Sequence, residues 1–296
     1  MVITVTGSTG TIGSELVRLL SQVGAATRAV YRSGRNTRAL DGIVWAKADL
    51  RDDRALEPAL AGTTRLFLLS GNEAGFGELQ IDVIRQAERL GVEHVLKLSA
   101  LGASNHSNSG IAREHWEVEQ ALQQSSMRWT ILRPHAFMQN WLAEVAETVR
   151  AEGAIYSPIA DGRVPFIDTR DIAAVSAKIL VEPEAHAGHR YFLTGGEAVG
   201  FAEVAEALSE ATGNPVTYRS ISMDEARARM EARGLPTNVI TGTMALYAYQ
   251  KAGGPTAKVS DSVERILGRR PRTIRDFARD HADQFTARTA STSLRP

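Results

Sequence analysis

The sequence predicts an α/β protein: a doubly wound parallel sheet with a smaller, discontinuous C-terminal α+β lobe. Two observations carry this expectation. Short β-rich runs alternate with longer segments of helical period through the first half of the chain, and beyond Pro134 the alternation breaks and is only partly resumed. Strands that alternate with helices must run parallel, because a parallel pair needs a crossover connection of helical length.

Val2–Thr6 is the first strand and Ser14–Val23 the first helix; Ala26–Tyr31 and the region around Val44–Ala48 are the next two strands. Arg65–Ser70 reads RLFLLS, apolar on both faces, as a strand covered by helices on two sides must be. A helix over about 78–90 carries Leu79, Val83, Ile84, Ala87 and Leu90 at helical spacing, with Gly91 as its stop. His94–Ser99 is a fifth strand. A Gly/Ser/Asn-rich loop over 101–110 then leads to a helix near 112–124, and Trp129–Leu132 is a sixth strand. Six strands with crossover helices form the Rossmann-type dinucleotide-binding layout.

After Pro134 the pattern predicts a helix around 137–150, short strands near Ile155 and 164–167, a helix over 171–180 and a strand at 190–194. Helices follow over about 201–211, 224–233 and 238–248. Ser222 with Glu225, and Thr273 with Asp276, are spaced as helix-start pairs. The expected division is therefore a nucleotide-binding domain over 1–150 with return segments from about 163–195, a mainly substrate-binding lobe over 151–286, and a flexible tail at 287–296.

The charges balance, with 34 basic and 34 acidic residues, so no global field draws the chain to nucleic acid or to an anionic membrane. Absence of cysteine excludes disulfides, thiolate nucleophiles and Cys-based metal sites. The seven histidines show no ligand spacing, so no metal is expected, and the basic residues lack the aromatic interleaving that single-stranded nucleic acid requires. MVITVTGSTG lacks the features of a secretion signal, and no apolar run is long enough to span a bilayer. A cytoplasmic protein acting on a small molecule, as monomer or homodimer, is the expectation.

TGSTGTIG lies directly between a buried strand and an amphipathic helix. In that setting Gly7 makes the tight turn, Gly10 lets backbone approach a pyrophosphate, and Gly13 lets helix and strand pack closely. The helix start then offers unpaired N–H groups and the positive end of its dipole to phosphate. A turn with no ligand is the competing reading. The end of the second strand decides between NAD and NADP, because an acidic residue there binds a ribose 2′-hydroxyl. This chain has Arg32, followed by Arg35 and Arg38, with no carboxylate until Asp41. A guanidinium forms paired hydrogen bonds to phosphate, which points to NADPH/NADP+; for Arg35 and Arg38 a solvated basic loop is the alternative. Asp49, in ADLRD, is placed either to meet the adenine edge or to cap the next helix.

These segments, with LKLSALGA at 96–103, WTILRPHAFMQN at 129–140 and PFIDTRDIA at 165–173, resemble the NmrA-like group of atypical short-chain dehydrogenases, from Val2 to about Phe285. The resemblance implies a Rossmann domain, a small C-terminal lobe closing a cleft, and NADP(H). Members of the group are similar to NAD(P)H quinone oxidoreductases and related reductases on one side, and to non-catalytic redox sensors on the other. By resemblance Gly7, Thr9, Gly10, Thr11, Ile12 and Gly13 match the pyrophosphate turn and Arg32 the phosphate clamp. Ser70, Gly71 and Asn72 match the loop beside the nicotinamide ribose; Lys97, Ser99 and Ala100 end the fifth strand at the nicotinamide end. Asp168 and Asp171 match an acidic pair read as a structural cap, and His135 stands where a small residue is usual.

The proton source is the open question. Short-chain dehydrogenases use a tyrosine four residues before a lysine; here the one such spacing, Tyr247 and Lys251, falls in the C-terminal lobe and is read as coincidence. The corresponding segment is GIAREHWEVEQAL, with His115 and Glu119 one helical turn apart. Hydride addition to a quinone or enone leaves a delocalised anion that water can protonate, so a reductase of conjugated carbonyl compounds fits the missing tyrosine. His115 and His135 are the candidate proton donors, Lys97 and Ser99 the other candidate catalytic residues, and a ketone reductase with a histidine acid and a non-catalytic sensor are the rivals. Phe137, Met138 and Trp141 form an apolar group read first as core and second as substrate wall; Trp116 is read the same way.

Overall fold

A computed structural model describes residues 1–33 and 38–286. The expected tail and the candidate Arg35 lie outside the described residues. The chain runs β1 (Ile3–Val5), α1 (Thr11–Gln22), β2 (Thr27–Tyr31), β3 (Ile43–Lys47), α2 (Asp53–Leu60), β4 (Arg65–Leu68), α3 (Phe76–Arg89), β5 (His94–Leu98), α4 (Gly110–Gln124) and β6 (Arg128–Pro134). Then come α5 (Asn140–Glu144), α6 (Ala146–Glu152), β7 (Ala154–Ser157), α7 (Thr169–Val181), β8 (His189–Leu193), α8 (Phe201–Thr212) and β9 (Thr217–Ser220). Helices α9 (Met223–Ala232), α10 (Thr237–Ala252), α11 (Ser262–Leu267), α12 (Ile274–Asp280) and α13 (Ala282–Phe285) complete it.

Two compact units result, each discontinuous: Met1–His135 with Thr169–Thr194 and Ser260–Pro271, and Ala136–Asp168 with Gly195–Val259 and the segment from Arg272. In the first, seven strands pair in the order β3-β2-β1-β4-β5-β6-β8, all parallel. Strand order reverses direction between β1 and β4, which opens a crevice beyond the carboxyl ends of those strands, the usual ligand position in such sheets. The Rossmann-type expectation is thus borne out, with β8 adding a seventh strand beside β6. Central strands are buried throughout: β5 shows no exposed residue, and Leu66, Phe67 and Leu68 of β4 are wholly covered. One face packs Val83, Ile84, Ala87, Val118 and Leu122 of α3 and α4 against Val95 and Ile131. Helix α7 packs on α1 and buries Ile172, Val175, Ile179 and Leu180 completely.

The second unit has its own core, in which Trp141, Phe166, Phe201 and Phe277 meet edge to face or tilted. Beside it β7 and β9 form a two-stranded parallel sheet. Sequence spacing put the first boundary at 150. The chain changes unit after His135 instead, because Trp141, Val145, Ala146 and Val149 bury their side chains among Ile155, Phe166 and Val204. The helix expected over 137–150 is divided at Val145, and the predicted strand 164–167 is reduced to isolated bridges, Phe137 with Ile167 and Val164 with Val199.

Two expected helix starts are realised. Thr273 and Asp276 bond reciprocally in a capping box, whereas Ser222 accepts from the Glu225 amide at 3.0 Å. Strand β9 and helix α11 were not anticipated; each is six residues or shorter, too short to show a sustained apolar period.

Candidate functional site

The β1–α1 turn is shaped by what its glycines leave out. Gly7 has φ of +63°, and a Cβ there would lie 2.9 Å from the Leu69 carbonyl oxygen. Gly13 is tighter: a Cβ would fall 2.1 Å from the Gly7 carbonyl oxygen, so any side chain would push α1 off the turn. Gly10 differs, since a Cβ would meet only the Gly7 oxygen at 3.4 Å and otherwise point into open space. That space is kept clear in front of α1, whose first turn carries no acidic residue. The amides of Thr11, Ile12 and Gly13, in the first turn of α1, have no carbonyl within the helix to bond, and such amides are suited to an anion. Ser8 and Thr6 brace the turn from below: Ser8 Oγ donates to the Val30 carbonyl at 2.6 Å, and Thr6 Oγ1 donates to that of Leu69 at 2.8 Å.

Gly7, Thr9 and Gly10 line a cavity of about 370 Å³ with Val30–Ser33, Ala48–Arg51, Leu69–Gly71, Glu73, Phe76 and Leu79. Strand ends β1, β2, β3 and β4 therefore converge on one space. Of the residues singled out in the sequence, Arg32, Asp49, Ser70 and Gly71 lie in its wall, while Asn72 is exposed and outside it. Asp49 does not cap α2: its Oδ1 accepts from the Arg51 amide at 3.0 Å, and Asp52 is the cap, accepting from the Arg54 amide at 3.0 Å. Arg38 lies outside the wall and is exposed.

Sequence reasoning missed Arg51 and Glu73. Glu73 accepts from Arg51 Nη2 at 3.0 Å and lies 3.6 Å from Arg32 Nη2. Arg51, with Arg32, holds its carboxyl below the usual carboxylate range. The signal was present in ADLRD, where Arg51 stands two positions after Asp49, but only sheet pairing brings the ends of β2 and β3 together.

At the end of β5 the candidate catalytic residues form a buried network. Lys97 is fully buried; its Nζ donates to the Leu98 carbonyl and, at 3.2 Å, to His115 Nδ1. Burial pushes the Lys97 ammonium down to about 7, against the opposing pull of Glu119. Burial, with Lys97 and Arg133 nearby, pushes His115 down to about 2. Burial thus favours the neutral His115 ring, and its Nδ1 is already engaged by Lys97. Ser99 Oγ donates to Glu119 Oε1 at 2.5 Å, and Arg133 grips both carboxylate oxygens of Glu119, at 2.8 and 2.6 Å, with Arg190 at 3.3 Å. Lys97 and Ser99 thus bond inward. The network meets this cavity through Phe76, whose ring lies 4.8 Å from that of His115. His135 is buried at the end of β6, its amide donating to the Leu193 carbonyl at 2.9 Å.

Met138 and Trp141 belong to the second core, 1% and 2% exposed, with Trp141 ringed by Phe166 and Phe277. They have no surface left for a ligand, so the core reading replaces the substrate-wall one; Phe137 and Trp116 are half-buried. Burial beside Glu144 pushes the Tyr247 phenol up to about 12.

The residues that line this site fall inside a recognised pattern, because residues 1–278 match the NmrA-like family. The chain belongs to the NmrA-like family. An NAD(P)H azoreductase of Xenophilus azovorans is 38% identical over 287 residues, covering 96% of this chain and 99% of that one. A (4-alkanoyl-5-oxo-2,5-dihydrofuran-3-yl)methyl phosphate reductase of Streptomyces griseus is 30% identical over 284 residues, covering 96% and 99%. Among solved structures, the NADPH-dependent quinone oxidoreductase QOR2 of Escherichia coli, complexed with NADPH, superimposes with a TM-score of 0.83 at 28% identity, covering 93% of this chain and 98% of that one.

Proposed function

We propose that this NmrA-like chain is an NADPH-dependent reductase of conjugated, electron-poor acceptors: quinones, enones and related carbonyl compounds. The observation that carries the reading is the open cradle at Gly10, facing the same cavity as Arg32 and Arg51. Relatives named for reduction of quinones, an azo bond and a conjugated dihydrofuranone support the acceptor class. When bound, NADPH supplies a hydride, which with one proton from water converts a quinone to a hydroquinone.

The residues of the chain bind and orient. Gly7, Gly10 and the first-turn amides of Thr11, Ile12 and Gly13 receive the diphosphate, and Arg32 holds the 2′-phosphate. Ser70 is itself fixed by Gln80 Nε2 at 2.7 Å, and with Gly71 flanks the nicotinamide ribose. Lys97 and Ser99, anchored to His115 and Glu119, stiffen the end of β5 as positioning residues. With His115 neutral, the protein brings no strong acid of its own from α4, so the favoured acceptors are those whose anion is delocalised after hydride addition.

The test is a titration with NADPH and NADH followed by turnover against quinones, enones, azo dyes and simple ketones. NADPH oxidation by quinones, enones or azo dyes with simple ketones inert is the expected result. Tight NADPH binding with no oxidation across the panel would overturn the reductase reading in favour of a nucleotide sensor.

A further inference from the structure

Arg32 and Arg51 arrive from the ends of two neighbouring strands, yet their charge is already engaged by one carboxylate. Glu73 comes from the loop after β4, on the other wall of the same cavity, and bridges the two guanidinium groups at 3.6 and 3.0 Å. Two guanidinium groups converging on one acceptor make a site suited to a multiply charged anion with several oxygens, for which a single carboxylate is a poor substitute. The three side chains are about half exposed, at 55%, 48% and 58%, so the pair interactions are solvent-screened and can be exchanged.

We propose that Arg51 is the second arm of the 2′-phosphate site, and that Glu73 is an internal competitor for it which sets the preference between NADPH and NADH. The inference rests on the cofactor reading above and goes beyond it. A 2′-phosphate, carrying more charge and three acceptor oxygens, takes the two guanidinium groups from Glu73. A nucleotide with a plain 2′-hydroxyl leaves Glu73 in place, where its carboxylate accepts from the ribose hydroxyl. The same side chain therefore lowers affinity for one cofactor and not for the other, so its removal shifts the preference toward NADPH.

The experiment is calorimetric titration of wild type, Glu73→Gln, Arg51→Ala and the double variant with NADPH, NADH, 2′,5′-ADP and 5′-ADP at one ionic strength, with a thermal melt to confirm that each variant is folded. Glu73→Gln is expected to tighten NADPH and 2′,5′-ADP roughly 2- to 5-fold, the scale of an exposed ion pair, while NADH and 5′-ADP are unchanged or weaker. Arg51→Ala should loosen the two phosphorylated ligands on the order of 10-fold, the scale of hydrogen bonds to a charged group, and spare the others. In the double variant the gain from Glu73→Gln should shrink. An unchanged NADPH-to-NADH ratio in Glu73→Gln, or an equal loss of both in Arg51→Ala, overturns the inference and leaves the cofactor reading standing. Wild type that binds neither NADPH nor NADH overturns both.

Discussion

A single atom's room distinguishes the three glycines of the first turn. Gly13→Ala would place a Cβ 2.1 Å from the Gly7 carbonyl oxygen, backbone that cannot yield without moving α1. The expected cost is at least the 1–3 kcal/mol, roughly, of overpacking, read as a drop in melting temperature together with loss of NADPH binding. Gly10→Ala meets only one contact at 3.4 Å, so it should keep the melting temperature and lose nucleotide affinity. Together the two variants separate fold from ligand. Arg32→Ala should weaken NADPH on the order of 10- to 100-fold, the scale of charge-assisted hydrogen bonds, and leave NADH near wild type in the same titration. The placement of Gly7, Gly10, Gly13 and Arg32 was legible because it follows from local order, strand then turn then helix. Arg51 and Glu73 were not, since their partners lie 22 and more residues away in the chain.

Elements settle what the apolar groups do. Phe137, Met138 and Trp141 have one pattern in the sequence, yet the latter two are sealed among Phe166, Phe201 and Phe277, and a pattern of spacing cannot state which ring will cover which. Trp141→Ala is expected to destabilise the second unit by about 3–5 kcal/mol, measured by urea unfolding. Helix α4 and strands β5 and β6 make the other case. Arg133→Met would strip the bidentate partner from Glu119, which is fully buried, leaving the Ser99 hydroxyl and Arg190 at 3.3 Å. The expected loss is on the order of 3 kcal/mol, and Glu119→Gln in the same background should recover part of it, because the uncompensated charge is then gone. His115 and Glu119 were visible one turn apart in the sequence; only the packing of α4 on β5 shows them tied to Lys97 and Ser99 rather than turned to a substrate.

At the scale of the whole molecule, the chain passes between its two units five times, so neither can be released by one cut. A fragment of residues 1–150 lacks α7 and β8, leaving the α1 surface that α7 covers and the β6 edge bare. It should fail to give a cooperative urea transition, whereas the full chain gives one. Acid stability is also a property of the whole. Unfolded, His94 and His115 titrate near 6.5; folded, burial holds them at about 4 and about 2. Below pH 6.5 the unfolded chain therefore takes up the protons first, and stability falls with pH by up to about 1.4 kcal/mol per pH unit for each histidine. Lys97 acts in a higher window: its unfolded ammonium keeps its proton to 10.5 and the folded one only to about 7, so this group adds stability as pH rises between those values. His115→Gln should flatten the acid slope in urea unfolding measured from pH 6.5 down to 4.

Sequence alone determined the sheet, the glycine turn between β1 and α1 and the basic residue beside it, because each is encoded by neighbours in the chain: period, glycine placement and the residue that ends a strand. Tertiary structure alone decided where the units part, which aromatic residues are core, that His115 is held neutral, and that Glu73 faces Arg32 and Arg51. Those outcomes depend on desolvation and on charges brought together by strand pairing and helix packing, and neither quantity exists until distant segments meet.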